Sequence, residues 1–250
     1  MNNQEVETNN GASDPNHAGK RHPGGLRGQA TMTLQTRQAQ KLMRGRTRRD
    51  NSNKPAIIGL TRFATLMRWA WRAAEFDDPW ADWLLIRVHD TITENRDSLA
   101  VLQRQIEERL SAMSNVEIAV AESLEPLEIP LNFSTPYGFL GAYLVADYDN
   151  YARAVLTARH VGLLGRDDAE RQLHQGGHLV RSTFHIPAGW RYRALTRDSV
   201  RRQPPKAVEV AQIMGWPPQE VVDKITRAPI APSIRKPSTN SGTREEEPQA

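Results

Sequence analysis

Residues 29–49 read QATMTLQTRQAQKLMRGRTRR, and two periods meet there. Ala30, Met32 and Leu34 alternate with Thr31, Thr33 and Gln35. Strict alternation with threonines predicts a half-buried strand over 29–35. Arg37 continues the polar face, and Gln38 to Arg44 carry on as a helical turn. Gly45 to Pro55 then read as a basic, polar linker. The exposed side of the strand holds groups that bond base edges. Arginine pairs with guanine O6 and N7, and glutamine with adenine N6 and N7. Thr31, Thr33, Gln35 and Arg37 are the candidates for that role. Lys41, Arg44, Arg46, Arg48 and Arg49 are candidates for phosphate contacts, which position without specifying. On pattern alone the same strand also reads as the ordinary edge of a sheet.

Charge supports a polyanion partner. Between Lys20 and Arg49 there are nine Lys/Arg and no Asp or Glu. The chain carries +4 in all, so the remainder sums to −5. A segment this one-sided suits phosphates, because each contact releases condensed counterions. A solvated tail with no partner is the alternative. The hydrophobic share is 38% and mean hydropathy is -0.62, so part of the chain is expected outside any core. Residues 1–28 are expected as a disordered tail, as are 228–250, which hold Pro229, Pro232, Pro237 and the acidic run Glu245 to Glu247. Between them a domain over 29–200 and a helical extension over 201–227 are expected. There is no cysteine, which excludes disulfides and thiolate metal sites. No signal peptide and no run of about 18 apolar residues stand out, so a cytoplasmic protein without a membrane span is expected.

Helices dominate the middle of the chain. Phe63, Leu66, Met67, Ala70, Trp71 and Ala74 form one stripe over Thr61 to Phe76. Asp77-Asp78-Pro79 then caps a second helix. No Gly or Pro falls between Pro79 and Pro126, and Leu84, Val88, Ile92, Leu99, Leu102, Ile106, Leu110 and Met113 mark a buried seam. A helix of about 34 residues spans roughly 50 Å and needs a partner surface, from this chain or a second copy. Val116 to Val120 and Leu127 to Phe133 alternate as strands, with Pro130 demoting the latter to an edge. The apolar run Phe139 to Ala146 predicts a buried third strand. Helices follow from about Asn150 to Leu164, with Gly165 as C-cap, and from Asp167, where Glu170 completes a capping box. Lys206 to Met214 and Gln219 to Arg227 form a short pair with Ala-x-x-x-Gly spacing (Ala211, Gly215), a weak helix-turn-helix signal.

Two other function classes compete. His174 and His178 stand one turn apart, but the glutamate of a zinc-protease motif is missing and no third ligand is evident. No phosphate loop, nucleophile elbow or carboxylate pair stands out, so neither an enzyme nor a metal or cofactor is expected. The tryptophans Trp69, Trp71, Trp80 and Trp83, with the long helix, suit either a core or a docking face for another protein. A non-catalytic accessory protein is therefore the alternative reading.

Four runs carry a resemblance: TLQTRQAQKLMRGR (Thr33–Arg46), DDPWADWLL (Asp77–Leu85), PYGFLGAYLVADYD (Pro136–Asp149) and LTARHVGLLGRDDAERQLHQGG (Leu156–Gly177). Together they resemble the AcaB family of transcriptional regulators, also labelled integrating conjugative element proteins, over roughly residues 26–200. The resemblance implies a ribbon-helix-helix-related fold. In that class paired strands from two subunits enter the major groove. It also implies a promoter-binding activator of conjugative transfer functions, with RNA polymerase or other element-encoded regulators as further partners. The combined expectation is an α+β fold, mostly helical with a small antiparallel sheet. A homodimer on double-stranded DNA is expected, because a lone strand cannot form the ribbon.

Overall fold

Pro136 to His160 form one helix that most of the protein wraps. Tyr137, Leu144, Val145, Tyr151, Ala154, Val155 and Ala158 along it are all buried. A helix apolar nearly all round must be enclosed by neighbours. The computed structural model describes residues 28–47, 55–112, 115–202 and 205–235. Among these the order is β1 (Thr31–Leu34), α1 (Arg37–Arg44), α2 (Leu60–Glu75), α3 (Pro79–Ser111), β2 (Leu127–Pro130) and then the central helix, α4 (Pro136–His160). After it come α5 (Arg166–His185), a 3₁₀ turn (Ile186–Gly189), α6 (Arg197–Arg201), α7 (Pro205–Met214) and α8 (Gln219–Val222). Helices α1, α2, α3 and α5 all pack on α4. The fold is thus mostly helical with one small two-stranded antiparallel sheet.

The apolar run Phe139 to Ala146, expected as a strand, is therefore a correction: it is the first half of α4. The misreading has a local cause: the exposed position in that run, Tyr143, is itself aromatic, so no polar stripe reveals the helical period. Small residues let its neighbours approach. A Cβ on Gly141 would come within 2.8 Å of the Phe63 ring on α2. Gly165 opens α5 instead of closing the preceding helix, which ends with Val161 as cap and Gly162 at φ 80°. The expected capping box is absent too: Gly165 makes no side-chain cap bond.

The seam of α3 is buried at Leu84, Val88, Ile92, Leu99, Ile106 and Leu110, with Leu102 half-buried. Met113 lies outside the described residues. The long helix lies against α4 of its own chain, so it needs no second copy for cover. Gly176 and Gly177 are packing glycines. A Cβ on Gly176 would sit 2.6 Å from the Tyr151 ring, and both residues are buried in the α4–α5 contact.

β1 pairs with β2 in the register Thr31↔Pro130, Met32↔Ile129, Thr33↔Glu128 and Leu34↔Leu127. The Leu131 N–H donates to the Ala30 carbonyl at 2.7 Å. Antiparallel ladders alternate bonded and non-bonded pairs, which puts Thr31 and Pro130 in a non-bonded pair. The missing N–H of Pro130 therefore costs no ladder bond. By the same alternation the backbone groups of Thr31 and Thr33 point to the outer edge of β1. The sheet is thus made within one chain, and the argument that a lone strand demands a second subunit does not hold.

Val116 to Val120, also expected as a strand, joins no ladder. The segment that follows is fixed by side chains of α4. Ala121 N–H donates to Thr157 Oγ1 (2.9 Å), and Arg153 Nε donates to the Ala121 carbonyl (3.0 Å).

The C-terminal helices are clamped to the α2–α3 corner. Arg197 is fully buried, donating to Asp82 (2.5 Å), Asp77 (2.7 Å) and the Val221 carbonyl (3.0 Å). Arg227 donates to both oxygens of Asp82, at 2.8 Å to Oδ1 and 2.9 Å to Oδ2, the oxygen it shares with Arg197. Asp78 caps α3 through the N–H groups of Trp80 and Ala81. The chain stays packed past the point where a tail was expected: Ala228 and Pro232 are buried, and the Arg235 N–H donates to the Glu75 carbonyl at 2.8 Å.

Candidate nucleic-acid interface

The turn from β1 into α1 is fixed from outside by Asp149, a buried carboxylate of α4. It accepts from the Gln35 N–H (2.7 Å), the Thr36 N–H (2.9 Å) and the Thr36 hydroxyl (2.6 Å). Thr36 Oγ1 in turn accepts from the Ala39 N–H (3.2 Å), capping α1. A carboxylate near a helix N-terminus also meets the positive end of its dipole. Met32, Leu34, Ala39 and Leu42 are buried beneath this unit, so its outer surface is set rigidly.

That surface carries Thr31 and Thr33 from β1, both exposed, beside Glu128 and Pro130 of β2. Arg37, Lys41 and Arg44 follow on α1, all exposed. Spacings of four and three put them on one stripe of the helix. Among the described residues none of the three meets a carboxylate, whereas eleven pairs of Arg or Lys with a carboxylate form elsewhere.

The other candidates divide. Gln35 is half-buried, and its side-chain carbonyl accepts from the Ser123 N–H at 2.8 Å, which leaves only its amide N–H₂ outward. Arg46 is exposed, but its guanidinium donates twice to the Pro55 carbonyl (2.9 and 3.2 Å). Its backbone also pairs with Ile57, pinning the stem of the loop. The stem lies where α1 and α2 touch: a Cβ on Gly45, at φ 68°, would meet Gly59 N at 2.5 Å. Arg48 and Arg49 lie outside the described residues.

Asp149 and Ser123 are what sequence reasoning missed. Both act over more than 80 residues of separation, and no local period marks such a contact. Of the tryptophans, Trp80 is buried, Trp71 and Trp83 are half-buried and Trp69 is 55% exposed. His174 and His178 are both exposed on α5. Among the described residues no three His, Asp or Glu converge as a metal site would need, and no helix is long and apolar enough to cross a membrane.

A strand with an outward polar face, a short basic helix and a helical body form a scaffold that fits a regulator of transcription. The family model described as transcriptional regulator AcaB matches residues 22–235, and the chain belongs to that family. Among solved structures, the crystal structure of selenomethionine-containing AcaB from uropathogenic E. coli is similar. The identity is 16%, the alignment covers 78% of this chain and 95% of that one, and the TM-score is 0.53. The shared property at that identity is the fold. No curated protein matches the chain.

Proposed function

We propose that this protein binds duplex DNA through β1 and α1 and regulates transcription from the promoters it selects. The stripe Arg37, Lys41 and Arg44 carries the proposal: three exposed cations without carboxylate partners among the described residues, on a helix locked to the body. Lys41 and Arg44 hold phosphates, each contact releasing counterions. Thr31 and Thr33 face base edges in the major groove, with Glu128 beside them as an acceptor for cytosine N4. Gln35 contributes through its amide N–H₂ alone. Arg37, at the junction, reads guanine through O6 and N7.

A homodimer fits the outer edge of β1. The backbone groups of Thr31 and Thr33 point there, and a second copy pairing on that edge makes an intersubunit ribbon. The family likeness supports the finer roles: activation, and conjugative transfer functions of an integrative element or plasmid as the target. Contacts with RNA polymerase or other element-encoded regulators, and a cytoplasmic setting, follow from that role. A mobility shift on promoter fragments of its own element tests the reading. The wild type is expected to give a discrete complex that the triple variant Arg37→Ala, Lys41→Ala, Arg44→Ala loses. Equal retention of both proteins would overturn it.

A further inference from the structure

A second charged surface lies along the C-terminal half of α2. There a groove of about 510 Å³ runs between the outer stripe of α2, the start of α4 and the last described residue, Arg235. Arg68, Arg72 and Arg235 line it, with Glu75 as its single acid. Two positive charges are left over. Arg235 Nη2 sits 2.9 Å from Glu75 Oε2, at ion-pair distance but off the line of a hydrogen bond. Arg68 and Arg72 meet no carboxylate among the described residues.

The walls are aromatic as well as basic. Trp69 is 55% exposed, and the Arg68 guanidinium lies 5.9 Å from its ring centroid. Cation and ring therefore share one wall. Thr135, only 5% exposed, precedes α4 and also lines the groove. Its hydroxyl borders the groove yet makes no cap bond to the helix, and it has no other hydrogen-bond partner among the described residues. That hydroxyl is a donor and acceptor left for a ligand in the groove. It stands at the N-terminus of a 25-residue helix, whose dipole favours an anion.

We propose that this groove is a binding site for a nucleoside phosphate, separate from the DNA-reading surface. The phosphates lie between Arg68, Arg72 and the Thr135 hydroxyl, where guanidinium groups give charge-assisted bonds. The base stacks on Trp69, a contact open to any base because each has a π-face. The volume falls in the range of about 300–1,000 Å³ typical of small-molecule sites, far more than a lone phosphate needs. The ligand bridges α2, α4 and the segment at Arg235, so its presence reports directly on how the C-terminal segment is held.

Calorimetric titration of the full chain with ATP, adenosine and inorganic phosphate tests this. ATP is expected to bind with a dissociation constant of about 0.1 mM or tighter, and adenosine and phosphate about tenfold or more weaker. The double variant Arg68→Ala, Arg72→Ala changes exposed residues and leaves the fold intact by circular dichroism. It is expected to weaken ATP binding about tenfold or more, while Arg37→Ala, Lys41→Ala leaves it unchanged. Saturation with a duplex should not displace ATP. No heat with millimolar ATP, unchanged affinity in the double variant, or displacement of ATP by duplex would each overturn the proposal. The last result would make the groove part of a nucleic-acid interface.

Discussion

Thr36 and Asp149 are joined by two hydrogen bonds across 113 residues of sequence, one from the backbone N–H and one from the hydroxyl. The same threonine oxygen caps α1. One buried carboxylate on the central helix thus sets the angle at which β1 leaves the body and α1 begins. The exposed threonines and the basic stripe are held in one mutual geometry by this joint.

Asp149→Ala removes the acceptor for three donors, two of them backbone N–H groups with nowhere else to go. Hydrogen bonds to a charged group are worth about 1.5–3 kcal/mol each, so a loss of about 3 kcal/mol or more in unfolding free energy is expected. Asp149→Asn keeps one carbonyl acceptor and should lose less. Urea denaturation of both variants checks the order, and equal stability of Asp149→Ala and wild type would remove the joint from the account.

Asp82 holds two arginines, one of them fully buried. Asp82→Ala leaves Arg197 charged and buried with only Asp77 and the Val221 carbonyl. Breaking one side of a buried pair costs about 3–5 kcal/mol. Limited proteolysis should cut first within the C-terminal helices, because α6 and α8 lose their clamp. Protection equal to wild type there would contradict this.

Burial pushes the Asp78 carboxyl up to about 7 from the ordinary 3.8, against the Ala81 and Trp80 N–H groups, which pull it down. The folded state therefore binds a proton that the unfolded state has released between those two values. Stability from this group falls as pH rises from about 4 to about 7, and the full cost stays above that window. Asp78→Asn keeps a capping oxygen and does not titrate. The stability difference between variant and wild type is expected to grow in the variant's favour from pH 5 to pH 8 in paired urea titrations. A constant difference would show that Asp78 does not titrate in that window.

Gly176→Ala places a Cβ 2.6 Å from the Tyr151 ring. The Tyr151 hydroxyl bonds Gln172 on the same helix (2.6 Å to Oε1), so the ring cannot retreat freely. Overpacking of this kind costs about 1–3 kcal/mol. The thermal midpoint should drop, and an unchanged midpoint would mean that α4 and α5 have slack.

The amphipathic parts of the fold were legible in the sequence, and the enclosed parts were not. The stripe of α2 and the seam of α3 show their period because one face meets water. The Asp77-Asp78-Pro79 start of α3 is equally plain, since its capping chemistry is local. The front half of α4 misled because its exposed position, Tyr143, is aromatic, so the helix presents the same apolar run as a buried strand. The interface candidates divide along the same line. Exposure of Thr31, Thr33, Arg37, Lys41 and Arg44 follows from alternation and helical spacing. The engagement of Gln35 by Ser123 and of Arg46 by Pro55 depends on tertiary contacts and loop closure, which periodicity does not encode. The pairing of β1 with β2 in one chain is of the same kind, a contact across nearly 100 residues.

The most direct test is fluorescence anisotropy of a labelled promoter duplex titrated with the full chain at several salt concentrations. Replacing Lys41 and Arg44 singly with alanine is expected to flatten the slope of log K against log salt by about one unit each, whereas Arg37→Ala relaxes specificity at one base pair. Thr33→Ala should keep the slope and narrow the gap between promoter and scrambled duplex. Slopes and specificity indistinguishable from wild type in all four variants would contradict a DNA-reading role for β1 and α1.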